Sequence, residues 1–510
     1  MIRKNFDSGL PRLGWISYIE KTSLSVTVLH GADVELADNF IVEGVWDGDF
    51  KLGNFNCAEH FFGSGLIVQN DGVLLVPSTA LVDKLFFCED GEYFFASNSL
   101  VCLLAYLGAE LDPTHNYKIQ SDNIMMGIDR YDSSFPILHN KIKLFEQLFY
   151  FVVKITKNGY KRQYIDRKHE FENYSAYYDT LREKLKDIRR NSCSPDRKKS
   201  FLAYTTISRG YDSTAATALT HDLDINKAFT SRKSSSAFLP WMNPGAAVDD
   251  GTDIARQLKL KISYLDYVEK DIGDDETLFI CPTPAEPEIV FYKAYQELGK
   301  NEVPSIVFTG YHGDELWNRN LSPQNLKRNI IRGGVSGINL GEARLESGFI
   351  NIPIPFMYAR EVSSLHSISN SDELAPWSTG DDYDRPIARR VVEDQGIPRE
   401  AFGSRKKTVI NFYNKPKNKL LRKQFYKFLE EEYGLGKSHC ILSSNVDTLI
   451  FYSKKLLNLF APALGIKSQP LLTIKSLDLP YKMYFWAVKY EVNKKKSSLN
   501  NIWQDNERIN

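Results

Sequence analysis

Cysteine is scarce in this chain, with six scattered among 510 residues (Cys57, Cys88, Cys102, Cys193, Cys281 and Cys440). None stands in a CxxC or at a Cys/His spacing that holds zinc, which argues against a metal cluster or a disulfide framework. An excess of charge of either sign is also lacking. Lysine plus arginine and aspartate plus glutamate both number 64, so no global basic surplus points to nucleic acid or an anionic membrane surface. No uncharged run approaches the ~18 apolar residues of a membrane span. The opening MIRKNFDSGLPRLGW lacks the apolar core of a signal peptide, and no internal repeat is visible. These absences together predict a reduced, cytoplasmic protein that binds neither nucleic acid nor membrane.

What is present is ordinary globular composition, 43% hydrophobic and 25% charged, with aromatics high at 13%. The length suits two or three domains. Residues 1–168 read as a β-rich domain. Trp15–Leu29 and Asn39–Trp46 alternate apolar and polar residues, Asn70-Asp71-Gly72 marks a hairpin, and Glu92–Leu107 reads as a strand entering a helix. Residues 169–199 give a charged helix and then a polar, turn-like segment, RNSCSPDRKK, expected to be the hinge into the next domain. From 200 to 414, strands alternate with helices, which implies a parallel sheet covered on both faces. Residues 415–510 read as a mostly helical extension with basic, solvated faces.

One stretch organises the second domain: Phe201–Leu219, FLAYTTISRGYDSTAATAL. Phe201–Ile207 has the β-branched and aromatic content of a buried strand. Ser208–Ser213 is a turn, and Thr214–Leu219 has helical composition, with Asp212 and Ser213 placed to cap it. A strand, a tight turn and a helix N-terminus form an anion cradle, because unpaired N–H groups and the helix dipole face the loop. A second Gly-bearing turn, Phe308–Trp317 (FTGYHGDELW), follows a later strand, Ser305–Phe308. In parallel sheets, ligands bind at the carboxyl ends of the strands, where both turns fall.

The first turn resembles the PP-loop signature SGGxDS of ATP pyrophosphatases. Ser208, Gly210, Asp212 and Ser213 match, and Arg209 stands where that family has its first glycine. The second turn resembles the SGxGxDELF segment of the asparagine synthetase family. Tyr383-Asp384-Arg385-Pro386 to Arg405-Lys406-Lys407 is similar to a later segment of that family, and GEYFFASNSLVCLLAYLGAEL looks like part of its glutaminase-type domain. The resemblance implies an α/β architecture: a parallel-sheet PP-loop synthetase domain preceded by a β-rich Ntn-hydrolase-like domain. It implies ATP and Mg²⁺, with Asp212 and Asp314 on the metal and Ser208, Gly210 and Ser213 on pyrophosphate. Phe229, Thr230, Thr309 and Gly310 would line the nucleotide, and Lys406 or Lys407 would steady developing charge. The implied reaction is adenylation of a carboxylate and transfer to an amine, with small-molecule or peptide substrates. A homodimer is compatible with this reading.

Two departures sharpen it. The family's glutaminase uses an N-terminal cysteine; here Ile2 and Arg3 follow Met1, and the first cysteine is Cys57. The N-terminal domain is therefore expected to be catalytically inactive. Tyr311 stands where ammonia-using relatives carry Glu and where β-lactam synthetase carries Tyr paired with a downstream Glu. Glu346, or Glu342, is the expected partner, since a Tyr linked to a carboxylate can relay a proton from an attacking amine; otherwise Tyr311 is an aromatic pocket wall. Arg209 and His312 either add charge toward the phosphates or spoil the fit. Two rivals stand beside the amide ligase: a non-catalytic homologue acting as scaffold, and a PP-loop enzyme of RNA modification.

Overall fold

The computed structural model describes residues 2–165, 167–232, 249–403, 413–460 and 477–499, a mixed α/β chain whose described residues form three sheets. Lys406 and Lys407 lie outside the described residues.

The first two sheets, of eight and six strands, are mostly antiparallel and pack face to face. Period-two alternation explains the arrangement. Trp15, Val28, Phe87 and Phe94 of the larger sheet meet Ile41, Leu66, Leu75 and Val153 of the smaller. The intervening residues Ile16, Leu29, Phe86 and Phe95 turn outward onto helix Leu100–Leu107. On the far face of the smaller sheet, Phe40, Val42, Trp46 and Phe61 pack with Phe50 and Phe55. The hairpin expected at Asn70-Asp71 forms with Gln69 opposite Gly72.

The third sheet is wholly parallel. Its edge-to-edge order is Ile262–Tyr264, Ile225–Thr230, Leu202–Thr206, Ser305–Thr309, Phe349–Pro353. Numbered along the chain, that order is 3-2-1-4-5. Both faces are buried, as parallel sheets require. Ala203, Ala228, Ile306, Phe308 and Ile350 pack on the face that carries helix Tyr211–Ala218, while Tyr204, Phe229, Val307 and Phe349 pack on the other. The fifth strand escaped the sequence reading: FINIP is apolar at nearly every position, so it shows no alternation, and Gly348 and Pro353 bracket it.

One expectation about the boundaries changes. The segment 190–199 is pinned rather than hinge-like. Arg197 is buried, with its guanidinium over the rings of Phe50 (4.2 Å) and Phe201 (4.7 Å), and it donates to the carbonyls of Asn191 (2.7 Å) and Gly44 (2.9 Å). The C-terminal helices bury apolar faces as well. Helix Leu479–Ser498 buries Met483, Trp486 and Val488 and packs against both Leu100–Leu107 and Thr277–Ile280, tying the β-rich unit to the parallel-sheet unit.

Candidate functional site

The order 3-2-1-4-5 creates one topological switch point, between strands Leu202–Thr206 and Ser305–Thr309, whose connections leave to opposite sides. Ligands of doubly wound sheets bind in the crevice that this reversal opens. The two Gly-bearing turns flank it. Their contact is close enough to require glycine on the second: a Cβ on Gly310 would stand 2.3 Å from the Asp212 carbonyl carbon and 2.4 Å from the Ser213 nitrogen, and one on Gly313 would stand 2.3 Å from Asp212 Oδ1. The turns that the sequence placed far apart are thus in van der Waals contact.

Within the first turn, Ser208 Oγ lies 2.7 Å from Ser213 Oγ and accepts the Gly210 N–H at 3.0 Å. Thr214 Oγ1 is within reach of the Ser208 and Gly210 carbonyls, at 2.8 and 2.6 Å. The helix begins at Tyr211, three residues before the expected start, with Gly210 as its N-cap. Tyr211 causes the early start. It is buried, its ring packs on Tyr383 and Phe402, and its hydroxyl accepts from Arg389. Asp212 and Ser213 therefore sit inside the first turn and do not cap it; the N-cap residue has no side chain to do so. That leaves an anion-seeking helix end with two hydroxyls beside it. Arg209 does not fill the cradle. Its Nε donates to the Ala401 carbonyl at 3.1 Å, and its own carbonyl accepts from Gly403 at 2.8 Å, so it runs along the 399–403 segment.

The two aspartates assigned to a metal meet a protein cation. Arg385, only 3% exposed, is ion-paired with Asp212. Burial works against its charge, yet Asp212, then Tyr383 and Asp314, hold its pKa above the ordinary arginine value. Tyr383 lies under the guanidinium at 4.8 Å from its ring centre. Two carboxylates on adjoining loops still fit Mg²⁺, which binds through one or two carboxylates with substrate phosphates completing its shell. Among the described residues, no cluster of three or more His, Cys, Asp or Glu side chains forms a metal site of its own.

Tyr311 does have a carboxylate partner, but it is not Glu346 or Glu342. It faces Glu288, which opens the segment before helix Tyr292–Leu298 and accepts the Gly337 N–H at 3.0 Å on both oxygens. Burial pushes Glu288 up to about 7, with Gly337 and Tyr311 opposing the shift, and burial together with Glu288 pushes the Tyr311 phenol well above its usual value. Glu346 instead faces Lys495 at 3.5 Å. Glu342 accepts from Ser99 Oγ (2.7 Å) and Leu100 N (3.1 Å), capping the helix Leu100–Leu107. Helical spacing pointed both Glu side chains away from the crevice, a direction that distance along the chain does not reveal. His312, at a left-handed φ of 66°, receives Arg332 Nη2 on Nε2 (2.8 Å) and faces Glu315 with Nδ1 (3.1 Å). It is thereby tied into the loop wall and does not point at the cradle.

The residues expected along the nucleotide divide by direction. Phe229 stacks on Tyr204 (5.3 Å, 10°) in the core on the far face of the sheet, so its side chain lines no crevice. Thr230 and Thr309 are buried and engaged inward: Thr230 Oγ1 accepts from Gly251 N (2.9 Å), and Thr309 Oγ1 donates to Asn351 Oδ1 (2.8 Å). Only Gly310 of the four meets the first turn. Beside Asp314 opens a cavity of about 500 Å³ walled by Glu315, Asn318, Arg332, Phe356 and Val362, a volume within the range of small-molecule sites. Sequence reasoning gave no role to Glu288 or Arg385. Arg385 lay inside a quoted segment, while nothing around Glu288 marked it.

Comparison with protein-family models and with curated proteins finds no match. No helix of the described residues is long and apolar enough to cross a membrane.

Proposed function

We propose that the chain is an ATP-dependent, AMP-forming amide ligase of asparagine-synthetase-like design, pairing a PP-loop synthetase unit with an Ntn-hydrolase-like unit that hydrolyses no glutamine. The observation that carries this reading is the contact of the 208–213 turn with the 310–314 turn at the switch point of the parallel sheet. A carboxylate oxygen attacks the α-phosphorus of ATP, the α–β phosphoanhydride breaks, and pyrophosphate leaves. The amine nitrogen then attacks the acyl carbon and AMP departs. The helix end at Gly210 and the hydroxyls of Ser208 and Ser213 hold the leaving pyrophosphate. Mg²⁺, held by Asp212 and Asp314, supplies charge neutralisation when bound. Tyr311 takes the proton from the amine as its own passes to Glu288, the carboxylate it faces.

Pyrophosphate release with ATP and Mg²⁺ over a panel of acids and amines tests the proposal. Amine-dependent release supports it, and ATP turnover without an acylated amine product overturns it. One observation favours a second, non-catalytic reading: Arg385 already neutralises Asp212. On that reading the protein holds nucleotide without splitting it, and no pyrophosphate appears with any pair.

A further inference from the structure

Arg385 is held in place from several sides. Pro386, the first residue of helix Pro386–Glu393, fixes the backbone just after it. Just before it, the Asp384 carboxylate accepts the N–H groups of Thr379 (3.1 Å) and Gly380 (3.0 Å) and the Ser378 hydroxyl. Tyr383 packs beneath the guanidinium. The charge itself meets Asp212 by direct ion pair and Asp314 through space. Two half-buried carboxylates on adjoining loops favour a cation between them, and here the chain supplies one, itself buried, from its own sequence.

We propose that Arg385 is a resident counter-ion seated where the divalent cation would bind, so that the nucleotide-free protein excludes free metal from Asp212 and Asp314. The cation then enters only with a triphosphate, whose negative charge draws the guanidinium off Asp212. Arg385 is thus a positioning residue with two alternative partners, the carboxylate pair and the incoming phosphates. A guanidinium suits both, since it binds carboxylate and phosphate with the same planar fork. This inference rests on the proposed reading only in taking Asp212 and Asp314 as the cation's ligands.

The test is Mn²⁺ binding to the full, nucleotide-free chain, followed by electron paramagnetic resonance of free Mn²⁺. Arg385→Met should open a site at least tenfold tighter than any in the unaltered protein, and adding Asp212→Asn should abolish it. Unaltered protein that already binds Mn²⁺ as tightly as Arg385→Met overturns the proposal. So does a folded Arg385→Met protein that binds none. If Arg385→Met does not fold, as judged by circular dichroism, the unaltered protein and Asp212→Asn decide. Equal, weak Mn²⁺ binding by the two supports exclusion, and a tight site lost with Asp212→Asn overturns it. Because nucleotide is absent, failure of the ligase reading in the pyrophosphate assay leaves this result standing on its own.

Discussion

Glu288 faces Tyr311 although one precedes a helix and the other follows a strand of the parallel sheet. Burial holds the Glu288 carboxyl near 7, so it changes charge across neutral pH. As a proton acceptor it must be ionised. The rate of amide formation should therefore rise with pH to a plateau, with its midpoint near 7. Glu288→Gln should remove that limb and lower kcat by roughly 10²–10⁴-fold, the usual contribution of a positioned base. Tyr311→Phe should lower kcat similarly while leaving pyrophosphate exchange with the acid intact. Loss of exchange in Tyr311→Phe would assign the tyrosine to the first half-reaction instead.

The same kind of shift sets a stability profile. Glu288 and Glu342 both have folded pKa values near 7, raised from 4.5, with burial the largest cause in each. Between those values the folded chain keeps protons that the unfolded chain has lost. Their contribution is full below the unfolded value and is lost as pH rises toward 7. Urea midpoints of Glu342→Gln should consequently vary less between pH 5 and 8 than those of the unaltered protein.

Asp212 carries more than a metal role, because its backbone is what Gly310 abuts. Asp212→Asn keeps the shape and removes the charge. Pyrophosphate release should fall at least about a hundredfold, by analogy with losing one preorganised electrostatic contact in a water-poor site, with an unchanged far-ultraviolet spectrum. Gly310→Ala should be as damaging for a different reason. Its Cβ would enter the Asp212–Ser213 peptide at 2.3 Å, pushing the two turns apart. Both variants should lower the thermal midpoint, Asp212→Asn because it leaves the buried Arg385 without its ion-pair partner and Gly310→Ala because it pushes the two turns apart.

Part of this site is legible in the chain itself. Strand, turn and helix at 201–219 were readable because β-branched residues, a Gly-bearing turn and an alanine-rich run each carry a local signal. The contact between that turn and Gly310 followed from topology, since both close neighbouring parallel strands. The partner of Tyr311 did not follow. Glu288 reaches it through a fold in the chain that no periodicity encodes, whereas Glu346 and Glu342 stand closer to the spacing that the resemblance implies and point elsewhere. Arg385 shows the same limit: its neighbours Tyr383 and Asp384 read as a motif, but only packing brings its charge to Asp212. Phe229 was misread because its strand is buried on both faces, so composition could not tell the crevice side from the far core.

The most demanding test of the two-unit architecture is Arg344. It lies on helix Gly341–Ser347, beside the parallel sheet, yet its guanidinium spans Glu43 (2.9 and 3.1 Å) and Asp83 (2.5 Å) of the β-rich unit, all of them buried. Ser64 donates to Glu43 at 2.8 Å, and Gly63 N–H donates to Asp83 at 3.1 Å. Burial raises the pKa of both carboxyls even with Arg344 between them. Arg344→Met would leave two buried acids facing each other without a cation, a loss of about 3–5 kcal/mol. The sign with pH follows from the raised pKa values. Protonation relieves the repulsion, so the deficit should be larger at pH 8 than at pH 5. Adding Glu43→Gln to Arg344→Met should recover part of it, because a neutral amide no longer needs the guanidinium. Urea unfolding of the single and double variants at the two pH values measures all three effects. A deficit of the same size at the two pH values would instead mean that Arg344 acts through packing alone.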